Sequence, residues 1–129
     1  MKVKVRDAEG VVLEYLVALC EGWKPVYVNN VLMLRYYRTD ASHTPKCYPE
    51  DFDYTKDWLC GGPIIEKNCI SLDYAQQDDW AAKSPTYQWA YGTTALIAAM
   101  RCYVASKLGE EVEVPDELCE FLTEIRNFL

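Results

Sequence analysis

Apolar positions recur at three- and four-residue intervals over residues 94–109, where Leu96, Ile97, Met100, Tyr103, Val104 and Leu108 form a stripe that leaves Arg101 and Lys107 outside it. Thr94 offers a hydroxyl to the first free N–H groups, and Gly109 can take the left-handed conformation that ends a helix, so the segment predicts a core helix. Near the start, Val3 and Val5 alternate with Lys2, Lys4 and Arg6, which predicts a short half-buried strand. Asp7 is then placed to cap a helix running to about Glu21, with Leu13, Leu16, Val17 and Cys20 on one side and Gly22 as its stop. Trp23 follows, large enough to close one edge of a core.

From Pro25 the period shortens to two. Residues 26–28 and 31–36 read as strands joined by Asn29-Asn30, a pair that tolerates positive φ, and so predict a hairpin. Residues 38–56 lose periodicity and collect Pro45, Pro49 and several aspartates, the composition of a long irregular loop. At 57–66, DWLCGGPIIE places two glycines and a proline before Ile64 and Ile65, which predicts a tight turn entering a strand. Ile70, Leu72 and Tyr74 alternate as a strand, residues 76–79 turn, and Trp80 to Ala82 begin a partner. Tyr87, Trp89 and Tyr91 share one face of an extended segment before the core helix; buried they are packing, and exposed they are the best partner patch. Residues 110–129 read as an acidic helical extension, with Pro115 in a first turn and Leu118, Phe121, Leu122, Ile125 and Leu129 as a second stripe. The sum is an α+β fold in one domain over residues 1–129: a small, mainly antiparallel sheet packed against two or three helices.

Charge alters this picture in one place. Of the net −7, residues 110–129 carry −6, with seven acids and one base, so the preceding body is almost neutral. No run of bases exists to displace counterions, which argues against direct nucleic-acid binding, and acids gathered on one terminal helix are a poor DNA mimic. No apolar run is long enough to cross a membrane, and the start turns acidic where a signal peptide would be apolar, so a cytosolic protein is expected. The six cysteines include no C-x-x-C pair and His43 is the one histidine. That composition predicts free thiols, no metal site and no cofactor. Asp73, Asp78 and Asp79 lack the spacing of a calcium loop.

The candidate chemistry gathers on the glycine pair. Gly61, Gly62 and Pro63 would let a ligand approach the backbone, with Trp58 as a platform, Asp57 and Glu66 as polar handles, and Arg101 as an anchor for an anion or a partner for Glu66. The glycine spacing and Lys-Ser/Thr of a phosphate-binding loop are missing. Cys60 as a nucleophile would need His43 as its base.

Several blocks are specific as strings: MKVK at the start, CEGW at 20–23, DW with GGPIIE within 57–66, and LIAAMRCYVASKLG at 96–109 with its acidic EEVEVP continuation. In these the chain resembles the phage NinX-like family, over residues 1 to about 118. The resemblance implies a phage or prophage origin and expression in a bacterial cytoplasm, and it implies no activity and no catalytic residues. Two functions are therefore expected. One is a noncatalytic accessory protein that binds a host or phage protein through its abundant Tyr and Trp, with self-association through the C-terminal helix as an option. The alternative is a small enzyme or ligand-binding domain with its site at the Gly61-Gly62-Pro63 turn.

Overall fold

The computed structural model describes residues 1–37 and 45–119. Its elements run as β1 (Lys2–Lys4), α1 (Gly10–Cys20), β2 (Trp23–Val28), β3 (Val31–Tyr36), β4 (Lys46–Cys47), α2 (Trp58–Lys67), β5 (Ser71–Gln76), β6 (Asp79–Ser84), β7 (Tyr87–Gly92), α3 (Ala95–Leu108) and β8 (Glu111–Glu113), with 3-10 turns at Val5–Asp7 and Pro49–Asp51. The fold class is α+β, and the strands divide among three small antiparallel sheets: β1-β8, β2-β3-β4 and β5-β6-β7.

The core helix forms as its sequence predicts. Thr94 Oγ1 accepts from the Ile97 N–H at 3.1 Å, and Gly109, with φ 95°, donates its N–H to the Ala105 carbonyl. Its buried face differs from the expected stripe, since Ile97 is half-buried and Leu108 is 38% exposed while smaller residues outside the stripe are buried. Ala98, Ala99, Cys102 and Ala105 are buried as well as Leu96, Met100, Tyr103 and Val104, because β5-β6-β7 covers the alanine side while α1 and α2 cover the others. Small side chains let the sheet lie close: a Cβ on Gly92 would stand 2.6 Å from the Ala98 backbone nitrogen.

The hairpin is also as expected, with Asn29 and Asn30 at φ 51° and 65° between β2 and β3. Trp23 opens β2 and packs edge-on against Phe52 at 5.0 Å, closing the core as read. Asp7 does not cap α1; it ends the 3-10 turn, and the helix begins at Gly10 after Glu9, because Val5 is drawn into the core and shortens β1. β8 answers β1, setting Lys2 opposite Glu113 and Lys4 opposite Glu111.

The main correction falls on residues 57–67. They form no turn into a strand; they form α2, with Gly61, Gly62 and Pro63 inside it. Asp57 caps the helix, accepting from the Leu59 N–H at 2.9 Å, and Asn68 Nδ2 donates to the Ile64 carbonyl at 2.8 Å at the other end. Pro63 leaves only the Leu59 carbonyl without its helical donor, on a residue that is 83% exposed and can turn to water. Of the loop expected over 38–56, the described part from residue 45 holds β4 and the second 3-10 turn, while His43 lies outside the described residues. Residues 116–119 begin a helical turn with Leu118 buried; Phe121, Leu122, Ile125 and Leu129 of the expected second stripe lie outside the described residues.

Candidate functional site

The seven residues singled out from sequence divide between two places. Asp57, Trp58, Gly61, Gly62, Pro63 and Glu66 belong to α2 and its cap, whereas Arg101 is on α3 and turns away from them. Gly61 is no approach to the backbone, because it is where α2 crosses α3: a Cβ there would meet Leu96 Cδ2 and the Tyr54 carbonyl oxygen, each at 2.6 Å. Gly62 faces open space, and Pro63 and Glu66 are exposed. Trp58, 55% exposed, borders a shallow groove of about 630 Å³ with Lys56 and Thr94, where the first turns of α1, α2 and α3 come together. Cys60 Sγ lies 4.0 Å from Asp57 Oδ2, and burial, then Asp57, pushes its thiol above the ordinary range, the wrong direction for a nucleophile.

Arg101 works as a clamp. Its Nε donates to the Ala8 carbonyl at 2.9 Å and its Nη1 to the Tyr91 carbonyl at 2.8 Å, tying the segment before α1 to the end of β7. Burial lowers its pKa, and the charges of Glu9 and Asp7 oppose that shift, so the guanidinium stays cationic. It forms part of the floor of a second groove, of about 750 Å³, between β7 on one side and the first 3-10 turn and β8 on the other.

The aromatic triplet lines this groove. Ala82, Ala90 and Gly92 take the face of the sheet toward α3, which leaves Trp89 and Tyr91 outside, 40% and 55% exposed. The register slips between Ala82 and Ser84 and Trp89 adopts φ 65°, a bulge that turns the indole out. Lys83 Nζ sits 5.2 Å from the Trp89 ring centroid and braces it. Tyr87 is half-buried, and its hydroxyl donates to Glu110 Oε1 at 3.1 Å; burial and then this bond raise its pKa.

Sequence alternation placed the three aromatics together but not on which side. The decisive signal is the small residue after each of the last two aromatics: Ala90 and Gly92 match the alanines of α3, and only small side chains fit between a sheet and a helix so close.

Among the described residues no three His, Cys, Asp or Glu side chains converge in a group able to hold a metal, and no helix is long and apolar enough to cross a membrane. Small antiparallel sheets packed with helices about the buried α3, and exposed aromatics lining a groove, define a small α+β protein. The chain belongs to the family described as Bacteriophage P22, NinX, whose model matches residues 4–107. That span takes in α1, α2, all but the last residue of α3, and every strand of the two larger sheets, and it stops before β8. Comparison with curated proteins gave no match.

Proposed function

We propose that this NinX-family chain is a noncatalytic accessory protein of a phage or prophage that binds a host or phage protein in the bacterial cytoplasm, along the groove beside β7. The carrying observation is Trp89 and Tyr91, two large aromatics held outside the core on a bulged strand and braced by Lys83 and Arg101. Rigid exposed aromatics next to a concavity are what binding hot spots are made of. The reading involves no direct contact with nucleic acid or membrane. A photo-crosslinking residue at position 89, with a control at position 59, tests it in infected cells. The expected outcome is one protein crosslinked at 89 and not at 59, whose capture by the purified chain falls roughly thirtyfold with Trp89→Ala and Tyr91→Ala together. Equal capture by that double variant overturns the reading.

A second reading keeps the surroundings of α2 as a ligand site or small active site. It is favoured by the groove at Trp58, where three helix N-termini and Lys56 suit a small anion and Glu9 opposes it; Asp57, Gly61, Gly62, Pro63 and Glu66 share α2 and its cap without lining the groove, and Arg101 is excluded by position. Inorganic phosphate that raises the Tm of the wild type and not of Lys56→Gln supports it; no rise rejects it.

A further inference from the structure

The outward face of the β2-β3-β4 sheet carries an arrangement that folding alone does not explain. Leu32 and Leu34 point into the core, so their neighbours Met33 and Arg35 take the opposite face. Lys24 is paired directly with Arg35, and Arg35 with Lys46, so three bases from three strands stand in one row across the sheet. The row is about 10 Å long at ordinary strand spacing. Like charges set directly opposite one another repel and weaken a sheet. Among the described residues no carboxylate lies within ion-pair distance of any of the three. Arg35 Nε is buried without a hydrogen-bond partner, while its guanidinium carbon lies 5.7 Å from the Tyr37 ring centroid. The row therefore offers three unneutralised cationic groups on one face to a partner that carries carboxylates.

The rows beside it have a different character. Val26 faces Met33 and Val28 faces Val31, so the cationic row gives way at once to an apolar strip, with Val31 48% exposed. We propose that this face docks an acidic protein segment whose apolar side chains alternate with its carboxylates, the carboxylates taken by Lys24, Arg35 and Lys46 and the apolar groups by Val26, Val28, Val31 and Met33. A phosphate backbone fits less well. It needs a longer track of bases, and here it would run onto apolar surface in a molecule of net charge −7. The site stands on a different sheet from the β7 groove, so either can fail without the other.

The test is a titration of the isotope-labelled full chain with three probes: a ten-residue peptide alternating Glu and Leu, its Lys-and-Leu counterpart, and a ten-nucleotide oligothymidylate. The Glu peptide is expected to move the amide signals of Lys24, Val26, Met33, Arg35 and Lys46 and not those of Trp89 and Tyr91. Arg35→Gln is expected to weaken it roughly tenfold, and added salt to weaken it further. The same substitution, and Lys46→Gln, should raise the Tm by about 1–4 °C as the repulsion is relieved. That gain in stability with loss of binding distinguishes a docking row from a structural one. Preferential binding of the oligothymidylate or the Lys peptide at the row overturns the proposal, as does the absence of any movement of these amides. Should Arg35→Gln fold poorly, Lys46→Gln at its exposed position decides, and unchanged affinity there also overturns it.

Discussion

Two adjacent glycines in α2 answer to different neighbours, and substituting each with alanine separates them. At Gly61 a methyl group collides with Leu96 and, less avoidably, with the Tyr54 backbone, so Gly61→Ala is expected to lower stability by about 1–3 kcal/mol in urea unfolding. At Gly62 no atom beyond its chain neighbours and its own helix backbone is within 4 Å, but Pro63 follows and its ring opposes a helical residue with a Cβ before it, so the gain in helix propensity is offset and Gly62→Ala should change stability by less than about 0.5 kcal/mol. Glu14 is the other single residue with a readable consequence. It is 2% exposed on α1 and accepts from the Thr55 hydroxyl at 2.6 Å and from the Thr55 N–H. Burial raises its pKa above the ordinary 4.5, and the Thr55 bonds oppose the rise. The folded protein therefore binds this proton more tightly than the unfolded chain does. The stabilisation is complete below 4.5 and is lost as pH climbs through the raised folded value. Urea unfolding across pH should show the wild type losing stability relative to Glu14→Gln over that window; a constant difference would mean the carboxyl is not its source.

Among the elements, α3 was legible because its cap, stop and composition all agree, and the hairpin because Asn29-Asn30 admits one kind of turn. Thr94→Ala should remove the cap bond and cost about 1 kcal/mol, measured by thermal unfolding. α2 was not legible, since Gly-Gly-Pro is a turn by every local preference. Glycine stands at 61 because α3 passes there, and that demand lies 35 residues away in the chain, between Gly61 and Leu96. The site was half visible for the same kind of reason. Tyr87, Trp89 and Tyr91 were grouped by alternation, while the partners of Arg101 are backbone carbonyls of Ala8 and Tyr91, which no side-chain pattern announces. The row of bases was invisible in sequence, because Lys24, Arg35 and Lys46 meet only through strand register.

For the whole molecule the arrangement around α3 has a thermodynamic signature. β5-β6-β7, α1, α2 and β8 all rest on one helix, and β2-β3-β4 is tied to it through α1, so disturbing that helix reaches each layer directly or at one remove. Met100, fully buried at its centre, should cost about 2–5 kcal/mol as Met100→Ala. Far-ultraviolet circular dichroism and tryptophan fluorescence should then still report one coincident transition; separate midpoints would show that the sheets melt independently. Trp89→Ala with Tyr91→Ala should cost less than Met100→Ala, about 1–2 kcal/mol, since the two rings are 40% and 55% exposed and only their remaining contacts are lost. The close seating of β7 on α3 thus sorts the strand into two registers of constraint. Ala90 and Gly92 are locked at the size of a methyl group or less, while the side chains of Trp89 and Tyr91 stand outside the core, Trp89 against Lys83. Substitution at 89 and 91 therefore alters the chemistry of the groove while sparing the seam with α3, whereas substitution at 90 and 92 wedges the strand off its helix.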